Sequence, residues 1–129
     1  MKALSLTQPW ASLVATDQKR VETRSWSTNY RGPLYIHAAK SMNDAAHDFA
    51  TEELFGGRLP LVLPLGALIA TARLVDVRRT EAVIRELTAT EIRYGDYTPG
   101  RFAWFLEDIQ ELPEPIPARG ALGLWEWTS

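Results

Sequence analysis

An α+β fold is predicted for this chain: a small mixed β-barrel of about six strands flanked by two or three short helices, with residues 1–129 forming a single domain. Three observations lead there. The helical patterns are short and concentrated early, whereas β-branched and aliphatic strand-like segments recur along the whole chain. No linker, repeat or low-complexity tract divides the sequence. A length of 129 residues at 46% hydrophobic and 23% charged content suits one core that needs no disulfide or metal to hold it.

Lys2 to Leu6 reads as a short strand. Pro9 suits the first turn of a helix, where its missing N–H costs nothing, and Trp10, Leu13 and Val14 then share one helical face. Val21 to Trp26 is a strand, Ser27 to Pro33 is turn chemistry, and Leu34 to Ala39 is the next strand. Ser41 is the expected cap of a second helix, with Asp44 as its reciprocal partner, and Gly56-Gly57 its stop. Pro60 to Pro64 is a connector, and Gly66 to Val77 a long strand. Thr80 to Leu87 and Thr88 to Ile92 are short helical pieces, and Tyr94 to Gly100 is a loop. A strand follows from Arg101 to Ile109. Pro113, Pro115 and Pro117 are expected to end regular structure there. Leu122 to Trp127 closes the chain as a strand.

The absence of cysteine excludes a disulfide framework, a thiolate nucleophile and a cysteine zinc site. The longest apolar stretch, Leu59 to Ala72, is broken by two prolines and a glycine, so no membrane span is expected, and the N-terminus lacks the apolar run of a signal peptide. A cytoplasmic setting is the expectation. The net charge of −2 is unevenly spread. Residues 1–40 hold six basic residues against two acidic ones, and residues 41–129 hold eight arginines against fourteen acids. The first third is thus a candidate anion-binding face.

Within it, Lys19-Arg20-Val21-Glu22-Thr23-Arg24-Ser25-Trp26 is the most informative segment. On an extended strand Glu22, Arg24 and Trp26 project to one side, and Val21, Thr23 and Ser25 to the other. A guanidinium can grip phosphate through two N–H bonds, and Lys19 at the strand mouth can add a point charge. An indole can stack on a base, worth ~1–3 kcal/mol, and a carboxylate can accept from an exocyclic amine. An ordinary Glu22–Arg24 ion pair on a rim strand is the competing reading. Trp104, Trp125 and Trp127 are expected to be packing residues, the last two on one face. His37 reads as a satisfied, partly buried histidine. With His47 it has no ligand-like spacing, so no metal is expected, and no phosphate-loop or nucleophile-elbow motif calls for a cofactor.

The segments Leu4-Ser5-Leu6-Thr7-Gln8-Pro9-Trp10, Lys19-x-x-Glu22-x-Arg24-Ser25-Trp26 and Tyr30-Arg31-Gly32-Pro33-Leu34-Tyr35-Ile36-His37 together resemble the ASCH domain family of the PUA-like superfamily. They are most similar to its branch named for activating signal cointegrator-1, whose C-terminal domain carries them. The resemblance implies a PUA-type barrel and a cleft beside the first helix, lined by a Gly-x-Lys-x-x-Glu-x-Arg motif. Lys19, Glu22 and Arg24 take its charged positions. Asp17 stands where the motif has glycine, so a left-handed backbone there would carry an aspartate.

The leading expectation is a nucleic-acid-binding domain, for RNA or another single strand, with a nucleotide-sized cleft. Lys19, Arg24 and Arg31 would meet phosphate, Gln8 and Glu22 base edges, and Trp10, Trp26 or Tyr30 would stack. Relatives that are hydrolases imply an alternative, action on RNA or on an N-acylated, modified cytidine nucleoside. Lys19 would then be the base and Glu22 the proton shuttle. The deacylating branch has threonine where this chain has Glu22, which weakens that transfer. A protein-interaction module docking through exposed tryptophans is the third expectation.

Overall fold

Alternating apolar residues on four long-range-paired strands generate the core. Leu4 and Leu6, Leu34 and Ile36, Ile69, and Leu74 with Leu106 and Trp104 pack in one cluster, and Val14 and Ala15 of the first helix close it. The computed structural model describes residues 1–129. Its strands are β1 (Lys2–Leu6), β2 (Val21–Arg24), β3 (Gly32–Ala38), β4 (Ala67–Arg79), β5 (Phe102–Pro117) and β6 (Leu124–Glu126). They form a single curled half-barrel sheet in the order β2-β5-β4-β3-β1-β6. Only β1 and β3 run parallel. The chain between them holds α1 (Trp10–Ala15) and the edge strand β2. The remaining helices are α2 (Asp44–Phe55), α3 (Thr80–Val83), a 3-10 turn at Ile84–Glu86, and α4 (Ala89–Arg93). The α+β half-barrel with short helices is the architecture expected from the sequence.

Two local expectations are corrected. The second helix is capped by Asn43, whose side chain accepts from Ala46 N at 2.8 Å, not by Ser41. The same residue class does the work two positions later, because Asn is as good a cap as Ser. The prolines near the C-terminus do not end β5. Its ladder with β4 jumps from Ala70↔Glu111 to Leu68↔Ile116, so the segment holding Pro113 and Pro115 bulges out of pairing. β2 covers only Phe102 to Phe105, leaving this half of β5 as an edge, where a missing N–H is tolerated.

Trp104 is fully buried, and truncating it to alanine is worth about 3–5 kcal/mol of stability. Trp125 and Trp127 share a face, meeting His37 and Tyr35 edge-on at centroid distances of 5.4 and 5.3 Å. His37 is buried and satisfied at both ring nitrogens, by Ser5 Oγ (2.9 Å) and the Ala118 carbonyl (2.8 Å), and Trp125 Nε1 donates to the same hydroxyl at 3.1 Å. Strand β6 and the segment before it are thereby tied to β1 and β3.

Candidate functional site

The end of α1 determines where the charged motif goes. Gln18 N donates to the Leu13 carbonyl and Asp17 N to that of Val14, a helix-terminating pair that requires a left-handed residue between them. That residue is Asp17, at φ +63°, the position where the motif glycine was expected to stand. Arg20 chelates the Asp17 carboxylate from outside through two bonds of 2.9 and 2.8 Å. Lys19 N also bonds the Leu13 carbonyl, and the side chain of Lys19 is turned inward.

Lys19 is completely buried. Its ammonium donates to the carbonyls of Val21 and Tyr94, the latter at 2.8 Å, and lies 3.6 Å from Glu22 Oε1. Burial lowers its pKa, while the carboxylates of Glu22 and Glu91 pull the other way. Glu22, itself nearly buried, accepts from Thr23 N and meets Arg24 Nη2 at 3.2 Å. Arg24 Nη2 also donates to the Ser5 carbonyl at 2.6 Å, and Arg24 Nε is enclosed without a hydrogen-bond partner. A lysine, a carboxylate and a guanidinium thus form a relay from the interior to an open cleft of about 560 Å³.

Trp10, Glu22, Arg24 and Trp26 all line that cleft, but so do Thr23 and Ser25, which strict alternation would turn away: β2 ends at Arg24, and the chain beyond it no longer keeps the two-residue period. Trp26 stands edge-on to buried Trp104 at 4.8 Å, and its carbonyl accepts from Trp104 Nε1. Four other expected site residues lie elsewhere. Lys19 sits behind the wall with its donors committed. Gln8 is fully buried: its amide oxygen accepts from Ser12 N at the start of α1, and its amide nitrogen serves Ser12 Oγ and the Pro64 carbonyl. It braces a helix start whose N–H groups need acceptors, and offers nothing to a base edge. Tyr30 and Arg31 lie in the β2–β3 turn. The Tyr30 hydroxyl donates to the Pro33 carbonyl, and Arg31 donates to the carbonyls of Thr28 and Tyr30. Neither reaches the cleft.

The opposite wall was not foreseen. It comes from the α4–β5 loop, and brings Arg93, Tyr94, Asp96 and Arg101 to the cleft. Arg101 immediately precedes Phe102, which pairs with Arg24 across the β2–β5 ladder, and both arginines line the cleft. Arg101 Nε donates to the Asp96 carbonyl at 3.1 Å, and Asp96 N donates to Thr23 Oγ1 at 3.0 Å. Hydrogen bonds from the Thr98 hydroxyl and backbone lower the pKa of Asp96. Gly95 allows this close approach: a Cβ there would fall 2.8 Å from the Tyr97 ring. Helix α2 supplies Phe49, which stacks on Trp10 with centroids 5.5 Å apart and lies under the Arg93 guanidinium. Arg93 is held by buried Glu53 at 2.6 Å, and Tyr94 donates to the same carboxylate at 2.9 Å. No group of three or more His, Asp or Glu side chains is placed to hold a metal ion.

Chemically, the cleft offers three guanidinium groups against two carboxylates, together with the planes of Trp10 and Trp26. That combination suits a ligand carrying an anion next to a flat ring.

Comparison with known proteins agrees with the fold. The sequence description of the ASCH domain matches residues 4–116. Human activating signal cointegrator 1 is 31% identical over 98% of this chain, and the mouse protein of that name 30% identical over the same share. The chain spans 22% of the length of either. The solved ASCH protein from Zymomonas mobilis superposes with a TM-score of 0.56 at 20% identity, covering 90% of this chain and 72% of that one, which demonstrates a shared fold. A point-mutant form of the same protein gives 0.55.

Proposed function

The chain belongs to the ASCH domain family, of PUA-like fold, and from that premise we propose that it is a nucleic-acid-binding domain which takes a nucleotide of single-stranded RNA into the cleft between β2 and the α4–β5 loop. The observation that carries this reading is the convergence of Arg24 and Arg101 beside Trp10 and Trp26 in an open cleft. With Nη2 committed to Glu22 and the Ser5 carbonyl and Nε enclosed in the protein, Nη1 is the nitrogen of Arg24 left to donate to a phosphate oxygen. Glu22 has one oxygen on Thr23 N and the other on Arg24, so its role is to aim the guanidinium. Trp10 or Trp26 would stack on the base, and stacking of this kind tolerates different bases.

The geometry favours binding over turnover. Lys19, the base in a hydrolytic reading, has no surface on the cleft, and its ammonium is shared among three oxygens. Docking of a protein through Trp26 is disfavoured for a related reason: that indole stands in a concave wall with cations on both sides.

Titration of a fluorescent single-stranded RNA by anisotropy tests the proposal. Wild-type protein is expected to bind, and Arg24→Ala to weaken binding at least about tenfold, equivalent to about 1.4 kcal/mol. Absence of binding, or affinity indifferent to both Arg24→Ala and Arg101→Ala, would overturn it.

A further inference from the structure

A second surface lies apart from the cleft. The connector between α2 and β4 exposes Leu61 and Val62 almost fully, at 88% and 81%, and Leu65 by half. Between this connector and the β5 bulge runs a groove of about 280 Å³, walled by Pro60, Val62 and Pro64 on one side and Leu112, Pro113 and Pro115 on the other. Ile69 forms part of its floor and Glu111 stands at its rim. Single exposed apolar residues, such as Leu122, are ordinary, but three of them within five residues beside a groove form a patch of the kind that marks an interaction surface.

The charge around the groove says which partner fits. The bulge, residues 111–115, carries two carboxylates, Glu111 and Glu114, and no cation. Both are exposed. Neither is in an ion pair, whereas Glu107 stands opposite Arg73 in the β4–β5 ladder, and carboxylates elsewhere on the surface, such as Glu52, Asp76, Glu86 and Glu126, each have a cationic neighbour. Acidic residues on a free edge such as this half of β5 discourage strand-to-strand aggregation, which explains the charges taken alone. That protective role gives no reason for Leu61 and Val62 to be exposed a short distance away. Apolar residues beside a groove, with uncompensated charge of one sign along its rim, form the pattern of a recognition surface with an apolar anchor and a charged border.

We propose that this groove is a docking site for a protein segment of mixed basic and apolar composition. One apolar side chain of the segment enters between the connector and the bulge, and flanking lysines or arginines face Glu111 and Glu114. The site is independent of nucleic-acid binding: it shares no residue with the cleft. Its acidic rim repels nucleic acid, so the molecule would hold two ligands of opposite charge on separate surfaces.

The test uses the full chain and a short fluorescein-labelled peptide of lysine, leucine and serine, with two controls. One control has glutamate in place of lysine, and the other serine in place of leucine. The lysine–leucine peptide is expected to bind, and both controls to bind at least about tenfold more weakly. The double variants Glu111→Lys with Glu114→Lys, and Leu61→Ser with Val62→Ser, change only exposed side chains and should each cause a similar loss. Arg24→Ala should leave peptide binding unaltered. Thermal melts of the variants verify that the fold persists. Binding of either control as tightly as the test peptide, or full binding by both double variants, would overturn the proposal. So would displacement of the peptide by single-stranded RNA. Sedimentation showing a dimer that Leu61→Ser with Val62→Ser dissolves would overturn it too, by making a second copy of the chain the occupant.

Discussion

Lys19 is bonded to the carbonyls of Val21 and Tyr94 and approaches Glu22, so one side chain ties the first residues of β2 to the far wall of the cleft. Lys19→Met keeps most of the volume but leaves two buried carbonyls without their donor. It is expected to destabilise the fold by about 1–3 kcal/mol in urea unfolding. An unchanged midpoint would show that those carbonyls find other donors. At Asp17, a left-handed backbone is imposed by the end of α1. Asp17→Gly removes that strain together with an exposed ion pair of little worth, so Tm should stay level or rise. Asp17→Val, with a branched Cβ in the same conformation, should cost about 1–2 kcal/mol. If the glycine variant melts lower, the Arg20 contact matters more than the backbone. Period-two alternation made Glu22 and Arg24 legible as neighbours on one wall, but not the presence there of Thr23 and Ser25, since β2 ends at Arg24. The inward turn of Lys19 was not legible, because it depends on the helix terminus and on an acceptor at Tyr94, far away in sequence.

At the scale of elements, α2 is fastened to the rest by a charged cluster. Glu53 is its only fully buried ionisable side chain, and it accepts from Arg58 and Tyr94 while pairing with Arg93. Burial alone would raise its pKa, but the bonds from Arg58 and Tyr94 and the charge of Arg93 outweigh this and hold the carboxyl below its ordinary 4.5. A depressed native pKa means that the stabilisation is complete above 4.5 and is lost as pH falls below that, through the lower native value. Glu53→Gln should therefore cost about 1.5–3 kcal/mol at neutral pH, and its deficit against the wild type should shrink on acidification. A deficit independent of pH would mean that packing, not charge, fastens the helix. Most elements could be read from the sequence, since turn residues and apolar periodicity mark them locally. The continuation of β5 past its prolines could not, because a proline is tolerated only where a neighbouring strand is missing. Where β2 stops is a property of the sheet.

For the whole molecule, the split of charge along the sequence gives only half of the site. The first third does supply Arg24, Glu22 and both tryptophans, yet Arg93 and Arg101 come from the part of the chain with an acidic balance. Antiparallel pairing of β2 with β5 brings Arg101 to the cleft that Arg24 lines, and no local pattern announces that meeting. Binding of RNA should accordingly weaken with salt. Arg24→Ala and Arg101→Ala should each reduce the slope of log K against log salt by about 1, whereas Arg31→Ala, in the β2–β3 turn outside the cleft, should leave it unchanged. A slope lowered by Arg31→Ala alone would move the phosphate path to that turn. The most direct measurement is amide chemical-shift mapping of the labelled protein during titration with single-stranded RNA. Residues Glu22 to Trp26 and Arg93 to Arg101, two segments far apart in sequence, are expected to shift together and saturate at one affinity. Shifts confined to the Tyr30–Arg31 turn or to the Pro60–Pro64 connector, with both cleft walls silent, would contradict binding in the cleft.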